Sequence, residues 1–129
     1  MRTHFFLAML VATYATQSSD APLEKDFELR PGQTITITGT GSRVTFEAVV
    51  EDSRCPAGVQ CIWAGNARVT LRVGPAGQDT TVSLNTGLEP HAVVLGKLRL
   101  ELKAVTPGPQ PGATIPPDTY RVTLRATAA

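Results

Sequence analysis

Two cysteines, Cys55 and Cys61, are the residues with the most definite chemistry, because they are the only thiols in the chain and stand close together. Pro56 fixes its own φ and favours an extended backbone at Cys55, so a type I turn with Pro56 second and Gly58 fourth would return the chain toward Cys61. We therefore predict a Cys55–Cys61 disulfide, which in the chain-entropy view stabilises the fold by about 2 kcal/mol. The alternative is a zinc site, for which two thiols supply half of a tetrahedral shell.

The other reactive side chains do not assemble a reaction centre. His91 is the one histidine left after removal of an N-terminal signal, and it follows Pro90 in a turn with no acid, serine or cysteine pattern around it. Glu51 and Asp52 are adjacent, so in a strand they would face opposite ways and could not flank a glycosidic bond. The mature chain also lacks the methionines that copper would favour. We expect no catalytic residues, no metal ligands and no cofactor.

Residues 1–15 have the pattern of a secretory signal peptide. Arg2 and the amino terminus give positive charge before an apolar run over residues 5–12, which is too short to span a bilayer. We expect cleavage after Ala15, because cutting after Ala21 would place a proline at the new terminus. No cysteine lies near this end for lipid attachment. The sequence thus predicts a periplasmic or secreted protein without stable membrane insertion, in a compartment that favours disulfides.

The charge pattern argues against a nucleic-acid binder. Loss of Arg2 with the signal leaves the basic residues equal in number to the 11 acidic ones. The basic residues are scattered singly, and the few mature aromatics give no platform for stacking bases; they are Phe27, Phe46, Trp63 and Tyr120. We expect the partner to be a protein or an envelope component.

Alternation of apolar and polar residues predicts strands throughout, and no window shows the helical period. Glycine and proline punctuate the chain about every ten residues, which is typical of turns between strands. We predict an all-β domain over residues 26–129, a single immunoglobulin-like β-sandwich of about seven or eight strands, after a flexible leader over residues 16–25. The positions expected to face the core are Ile35, Ile37, Val44, Phe46, Val69, Leu71, Leu98, Leu100, Leu102, Val122 and Leu124.

The run before the cysteines predicts one half-buried strand. Val44, Phe46, Ala48 and Val50 alternate with polar residues and with Val49. Because successive side chains of a strand point to opposite faces, these four are expected to share the inner face, with Val49 on the outer one.

Two aromatic residues each allow two interpretations. Trp63 lies two residues after Cys61, so strand alternation would place it in the core against the disulfide; alternatively it is an exposed anchor for a glycan or protein. Asp118-Thr119-Tyr120 is similar to a tyrosine corner, in which the hydroxyl ties a crossing loop to the sheet; alternatively Tyr120 begins an ordinary strand.

The central block of the chain resembles a family signature. It comprises Asp52-Ser53-Arg54-Cys55-Pro56, Val59, Cys61-Ile62-Trp63-Ala64-Gly65 and Ala67. In this it is similar to uncharacterised exported bacterial proteins with an Asp-Ser-Arg-Cys-Pro…Cys-x-Trp-x-Gly block. The resemblance implies export, a short disulfide and β structure, and it supplies no catalytic residues.

The function that these features favour is binding by the braced loop. Ser53, Arg54 and Gln60 are polar, and Trp63 is aromatic, on a segment that the disulfide would hold rigid. We therefore expect a non-enzymatic β-sandwich that binds a protein or envelope component. One alternative is a secreted protease inhibitor that presents the Cys55–Cys61 loop, and another is that the block only closes one end of the sandwich.

Overall fold

The alternating runs form nine strands in two facing sheets, in a computed structural model that describes residues 20–129. The strands are β1 (Asp20–Ala21), β2 (Asp26–Leu29), β3 (Thr34–Ile37), β4 (Ser42–Asp52), β5 (Ala67–Pro75), β6 (Thr80–Asn85), β7 (Ala92–Leu95), β8 (Leu98–Thr106) and β9 (Arg121–Ala128), with a short 3-10 helix at Pro117–Thr119. One sheet has the order β1-β3-β4-β5-β6 and the other β2-β9-β8-β7. The predicted all-β sandwich is confirmed, and the predicted signal peptide lies outside the described residues.

The residues just before β2 belong to the fold, in contrast to the flexible leader that the sequence predicts there. Ala21 is buried, and β1 pairs in parallel with the end of β3. The Thr38 amide donates to the Ala21 carbonyl at 2.9 Å, and the Glu24 amide donates to the Ala126 carbonyl at 2.8 Å. These main-chain hydrogen bonds hold residues 20–25 in place and do not need apolar side chains. The polar composition of the segment therefore gives no sign of them in the sequence.

The core lies between the two sheets and contains the predicted inward positions. Ten of the eleven are buried, and Ile35 is partly buried and packs against them. All of these residues are Leu, Val, Ile or Phe, and they come from both sheets, as two-layer packing requires. In the regular strands, therefore, the alternation of apolar and polar residues correctly identifies which residues face the core.

Strand β4 is not regular, and here the predicted facing is wrong for three residues. Phe46 pairs with Leu71 and Ala48 with Thr70, so Glu47 is an extra residue, and Val50 is a second extra residue three positions later. Each β-bulge adds a residue on the outer face and shifts the alternation by one position. As a result Ala48 and Val50 are exposed, whereas Val49 packs against the core.

Three connections meet at the end of the sandwich where β4 finishes. They are residues 53–66 between β4 and β5, residues 86–91 between β6 and β7, and residues 107–116 after β8. The Thr86 amide donates to the Ala67 carbonyl at 3.0 Å, and the Ala57 amide donates to the Pro109 carbonyl at 3.1 Å. The cysteines therefore lie where both sheets and their connections converge.

The bulges predict that two apolar residues of β4, Phe46 and Val50, contribute very differently to stability. Phe46→Ala should lower the free energy of unfolding by about 3 to 5 kcal/mol, because the ring is fully buried and its removal leaves a cavity. Val50→Ala should change it by less than about 0.5 kcal/mol, because this side chain is exposed. Equilibrium unfolding in denaturant measures both, and a loss of several kcal/mol at Val50 would contradict the outward facing.

Candidate functional site

The predicted disulfide joins Cys55 and Cys61, with the two Cα atoms 5.9 Å apart. The turn inside it is displaced by one residue from the predicted position. The Val59 amide donates to the Pro56 carbonyl at 3.2 Å, so Gly58 is the third residue of the turn, where its φ of 75° is the conformation that glycine tolerates best. We call residues 55–61 the disulfide loop.

The base of the disulfide loop is tied to its own return segment. The Ser53 amide donates to the Asn66 carbonyl at 2.7 Å, and the Cys55 amide donates to the Ala64 carbonyl at 3.0 Å. Gly65 has a φ of 79°, and a side chain here would overlap the Ser53 carbonyl. The two arms of the loop therefore pack backbone against backbone, which only glycine permits at this position.

A buried amide joins this base to the neighbouring connection. Asn66 Nδ2 donates to Asn85 Oδ1 at 3.0 Å, and Asn66 Oδ1 accepts from the amides of Gly87, at 2.9 Å, and Leu88, at 3.2 Å. Asn66 is only 1% exposed, so its donor and acceptor must be satisfied within the protein, as they are. A side chain at Gly87 would overlap the Gly65 carbonyl, which shows how closely the two connections approach.

Asp52, at the end of β4, is held by Arg54 and Tyr120. Arg54 donates through Nε to Oδ1 at 2.8 Å and through Nη2 to Oδ2 at 2.7 Å, and the Tyr120 hydroxyl donates to Oδ2 at 2.8 Å. The same guanidinium donates to the carbonyl oxygens of Val105, at 2.6 Å, and Pro107, at 2.9 Å. Because β4 belongs to one sheet and β8 and β9 to the other, this network joins the two sheets. The Tyr120 hydroxyl therefore ties two parts of the fold together, as a tyrosine corner does. Its acceptor, however, is the carboxylate of Asp52 in the opposite sheet and not a crossing loop.

The protonation states of the network follow from these contacts. The hydrogen bonds from Arg54 hold the pKa of Asp52 below its ordinary value of 3.8, against burial, which raises it. Burial, followed by the hydrogen bond to Asp52, raises the pKa of Tyr120 to about 12. Near neutral pH the carboxylate is therefore charged and the phenol remains a donor, an arrangement that supports structure and is poorly matched to proton transfer.

The four predicted binding residues differ in their surroundings, and Ser53 is both exposed and hydrogen-bonded. The Ser53 hydroxyl donates to the Asn66 carbonyl at 3.1 Å, and Arg54 is occupied by the network, with its side chain only 14% exposed. Gln60 and Trp63 are exposed. Of the two interpretations of Trp63, packing in the core is wrong and the exposed position is found: the residue is 53% exposed, because residues 53–66 form a loop in which strand alternation does not apply.

Exposed apolar side chains lie on two of the connections at this end of the sandwich. Ile62 is fully exposed, and Val59, Trp63 and Leu88 are each about half exposed. We call these four residues the apolar tip. Sequence reasoning missed three of them, although one signal was available: no Asp, Glu, Lys, Arg or His occurs between Arg54 and Arg68.

The remaining candidates for chemistry are engaged elsewhere. His91 Nδ1 lies 2.9 Å from the Asn85 carbonyl oxygen, and its Nε2 lies 3.2 Å from Glu89 Oε1. Within residues 20–129 no group of three or more His, Cys, Asp or Glu is placed to hold a metal ion, and the two cysteine sulfurs are bonded to each other in the disulfide. No helix in this part of the chain is long and apolar enough to cross a membrane.

Comparisons with protein-family models, with curated proteins and with solved structures gave no match. The geometry of the site is therefore the basis for any functional statement.

The Asp52 network predicts a stability that depends on pH. Asp52→Asn should lower the free energy of unfolding at neutral pH by about 1.5 to 3 kcal/mol, because hydrogen bonds to a charged acceptor are lost. Since the folded pKa is the lower one, the contribution is complete above the ordinary value of 3.8 and is lost as the pH falls through the folded value. The difference between wild type and variant should therefore shrink in acid, as measured by thermal unfolding over a pH series.

Glu51→Gln is the matched control, because Glu51 is the adjacent carboxylate and pairs with Arg68 at 3.3 Å on the exposed outer face. It should change the free energy of unfolding by less than about 0.5 kcal/mol. A difference between wild type and Asp52→Asn that is constant at every pH would mean that the charge of Asp52 is not what stabilises the network.

Proposed function

We propose that this chain is an exported, non-enzymatic protein that binds a protein or envelope component through the apolar tip. The observation that carries the proposal is the full exposure of the Ile62 side chain on a loop braced by a disulfide and by backbone hydrogen bonds. Clustered apolar side chains on a soluble surface are typical of interaction sites. A loop without the bracing could turn Ile62 inward, and this loop does not.

The chemistry of the apolar tip favours a partner with an uncharged, apolar recess. Ile62 and Trp63 would lose their remaining exposure on binding, and buried aliphatic and aromatic anchors carry most of the energy of known interfaces. The closed disulfide loop lowers the entropy cost of ordering these side chains on contact. Gln60 would add a polar contact at the rim, whereas the exposed Ser53 and the largely enclosed Arg54 would support the loop through their hydrogen bonds.

Protease inhibition is the second candidate, and the exposure of residues 59–63 favours it. These consecutive residues are presented outward while the disulfide and the hydrogen bond from Cys55 to Ala64 hold their flanks. Such a segment could enter a protease cleft without unfolding. Inhibition of a protease by the wild type, together with its loss in an Ile62 variant, would select this candidate over simple binding.

The disulfide supports the part of the proposal that concerns export, because disulfides persist in oxidising compartments. We expect the protein recovered from the periplasm or medium to begin at Thr16, after removal of residues 1–15. Intact-mass measurement of that material checks this, and a retained N-terminal segment would reject the cleavage site.

The apolar tip is tested by the double variant Ile62→Ser/Trp63→Ser. Once a partner is captured from the periplasm with wild-type protein, the variant should bind it at least about 30-fold more weakly, because two anchors are removed. Its melting temperature should not fall, because neither side chain belongs to the core. Calorimetric titration and thermal unfolding measure the two effects.

Val94→Ser is the matched control, because Val94 is an apolar residue of similar exposure, 58%, on a different part of the surface. It should leave affinity unchanged. Full affinity in the double variant would remove the apolar tip from the interface, and equal losses in both variants would mean that binding follows general surface hydrophobicity.

A further inference from the structure

Strand β6 is the outermost strand of its sheet, and its outer edge is open. Its pairing with β5 is regular over the whole strand. The Thr86 amide donates inward to Ala67 of β5, whereas the Asn85 amide donates outward to the Pro90 carbonyl at 3.0 Å. Because backbone groups alternate along an antiparallel strand, Thr81 and Ser83 also direct their N–H and C=O groups outward.

The two ends of this edge differ. At Asn85 the outward groups are satisfied, since the amide bonds to Pro90 and the carbonyl oxygen accepts from His91 Nδ1 at 2.9 Å. At Thr81 and Ser83, which are exposed, nothing among residues 20–129 pairs with them. The open edge therefore consists of four backbone groups on these two residues.

This edge lacks the features that keep strands from pairing between molecules. Strand β6 contains no charged residue and no proline, and its pairing with β5 has no bulge. The opposite side of the sandwich is protected, because β1 covers part of β3, and β2 carries Asp26 and Glu28. Natural edge strands are usually blunted by charge, proline or a bulge, and an edge without any of these is a template for another strand.

We propose that a second copy of this chain pairs with β6, antiparallel and related by a two-fold axis, to form one continuous sheet of ten strands. The register follows from the open groups. Thr81 of each copy lies opposite Ser83 of the other, which makes four main-chain hydrogen bonds around a central Val82–Val82 contact. Any register that uses Asn85 would have to displace Pro90 and His91.

A second copy fits this edge because the open residues Thr81 and Ser83 flank Val82 symmetrically and the strand carries no charge. A two-fold interface brings each residue near its own counterpart, so any charge on the strand would repel itself across the axis. Residues 80–85 carry none. The proposal does not depend on the apolar tip, because its hydrogen bonds come from the backbone of Thr81 and Ser83.

The test compares three single variants by light scattering coupled to size exclusion over a dilution series. Wild type and Ser83→Ala should have twice the protomer mass, because main-chain bonds do not need the hydroxyl. Ser83→Pro should have half that mass, because it removes an outward N–H and obstructs the edge without breaking a bond to β5. Val94→Pro is the matched control on β7, and it should remain a dimer.

A wild-type monomer at every concentration would overturn the proposal and leave the edge open to a different strand. So would a dimer that persists in Ser83→Pro or dissociates only in Val94→Pro. If Ser83→Pro does not fold, amide hydrogen exchange of wild type decides: Thr81 and Ser83 should exchange more slowly as concentration rises. Exchange at these two amides that is independent of concentration would equally overturn the pairing.

Discussion

The carboxylate of Asp52 is the group on which one end of the protein depends. A charge withdrawn from water is costly unless other groups replace its hydration, and three side-chain hydrogen bonds from Arg54 and Tyr120 do so here. The same contact joins the sheet that contains β4 to the sheet that contains β8 and β9. Because Arg54 immediately precedes Cys55, it also fixes the point and direction at which the disulfide loop leaves the sandwich.

Polar and apolar residues have exchanged their usual places at this end of the fold. Asp52 and Arg54 are largely enclosed and act as supports, with the uncharged amide of Asn66 beneath the neighbouring connection. Ile62 lies in water. Enclosing charged groups requires complete pairing, whereas exposing an isoleucine gains nothing for the folded chain by itself. The exposure of Ile62 is what supports the proposed binding role of the loop.

Features set by local spacing were predictable from the sequence. The alternation of Leu98, Leu100 and Leu102 placed all three in the core, and the spacing of Cys55 and Cys61 around a proline gave the disulfide. In both cases the signal lies within a few residues of the chain. The strand content and the two-layer architecture follow from many such local signals acting together.

Features set by distant partners were not predictable. Tyr120 finds its acceptor 68 residues away, and Asn66 organises a connection that begins 20 residues later. The facing of Val49 and Val50 depends on how many residues β5 offers opposite β4, which no pattern within β4 reveals. The core interpretation of Trp63 is wrong for a related reason. It assumes strand alternation in a segment that Gly65 and the disulfide hold outside both sheets.

The two bulges of β4 have a consequence for how this strand can change in length. Glu47 and Val50 are extra relative to β5, and each lies on the outer face. Deleting either one would leave every later residue, including Asp52, facing as it does now. What would change is the bend and twist that a bulge gives to its strand. Single-residue deletions at these two positions would therefore alter the angle at which the disulfide loop projects, while the identity of the residues in the core stays the same.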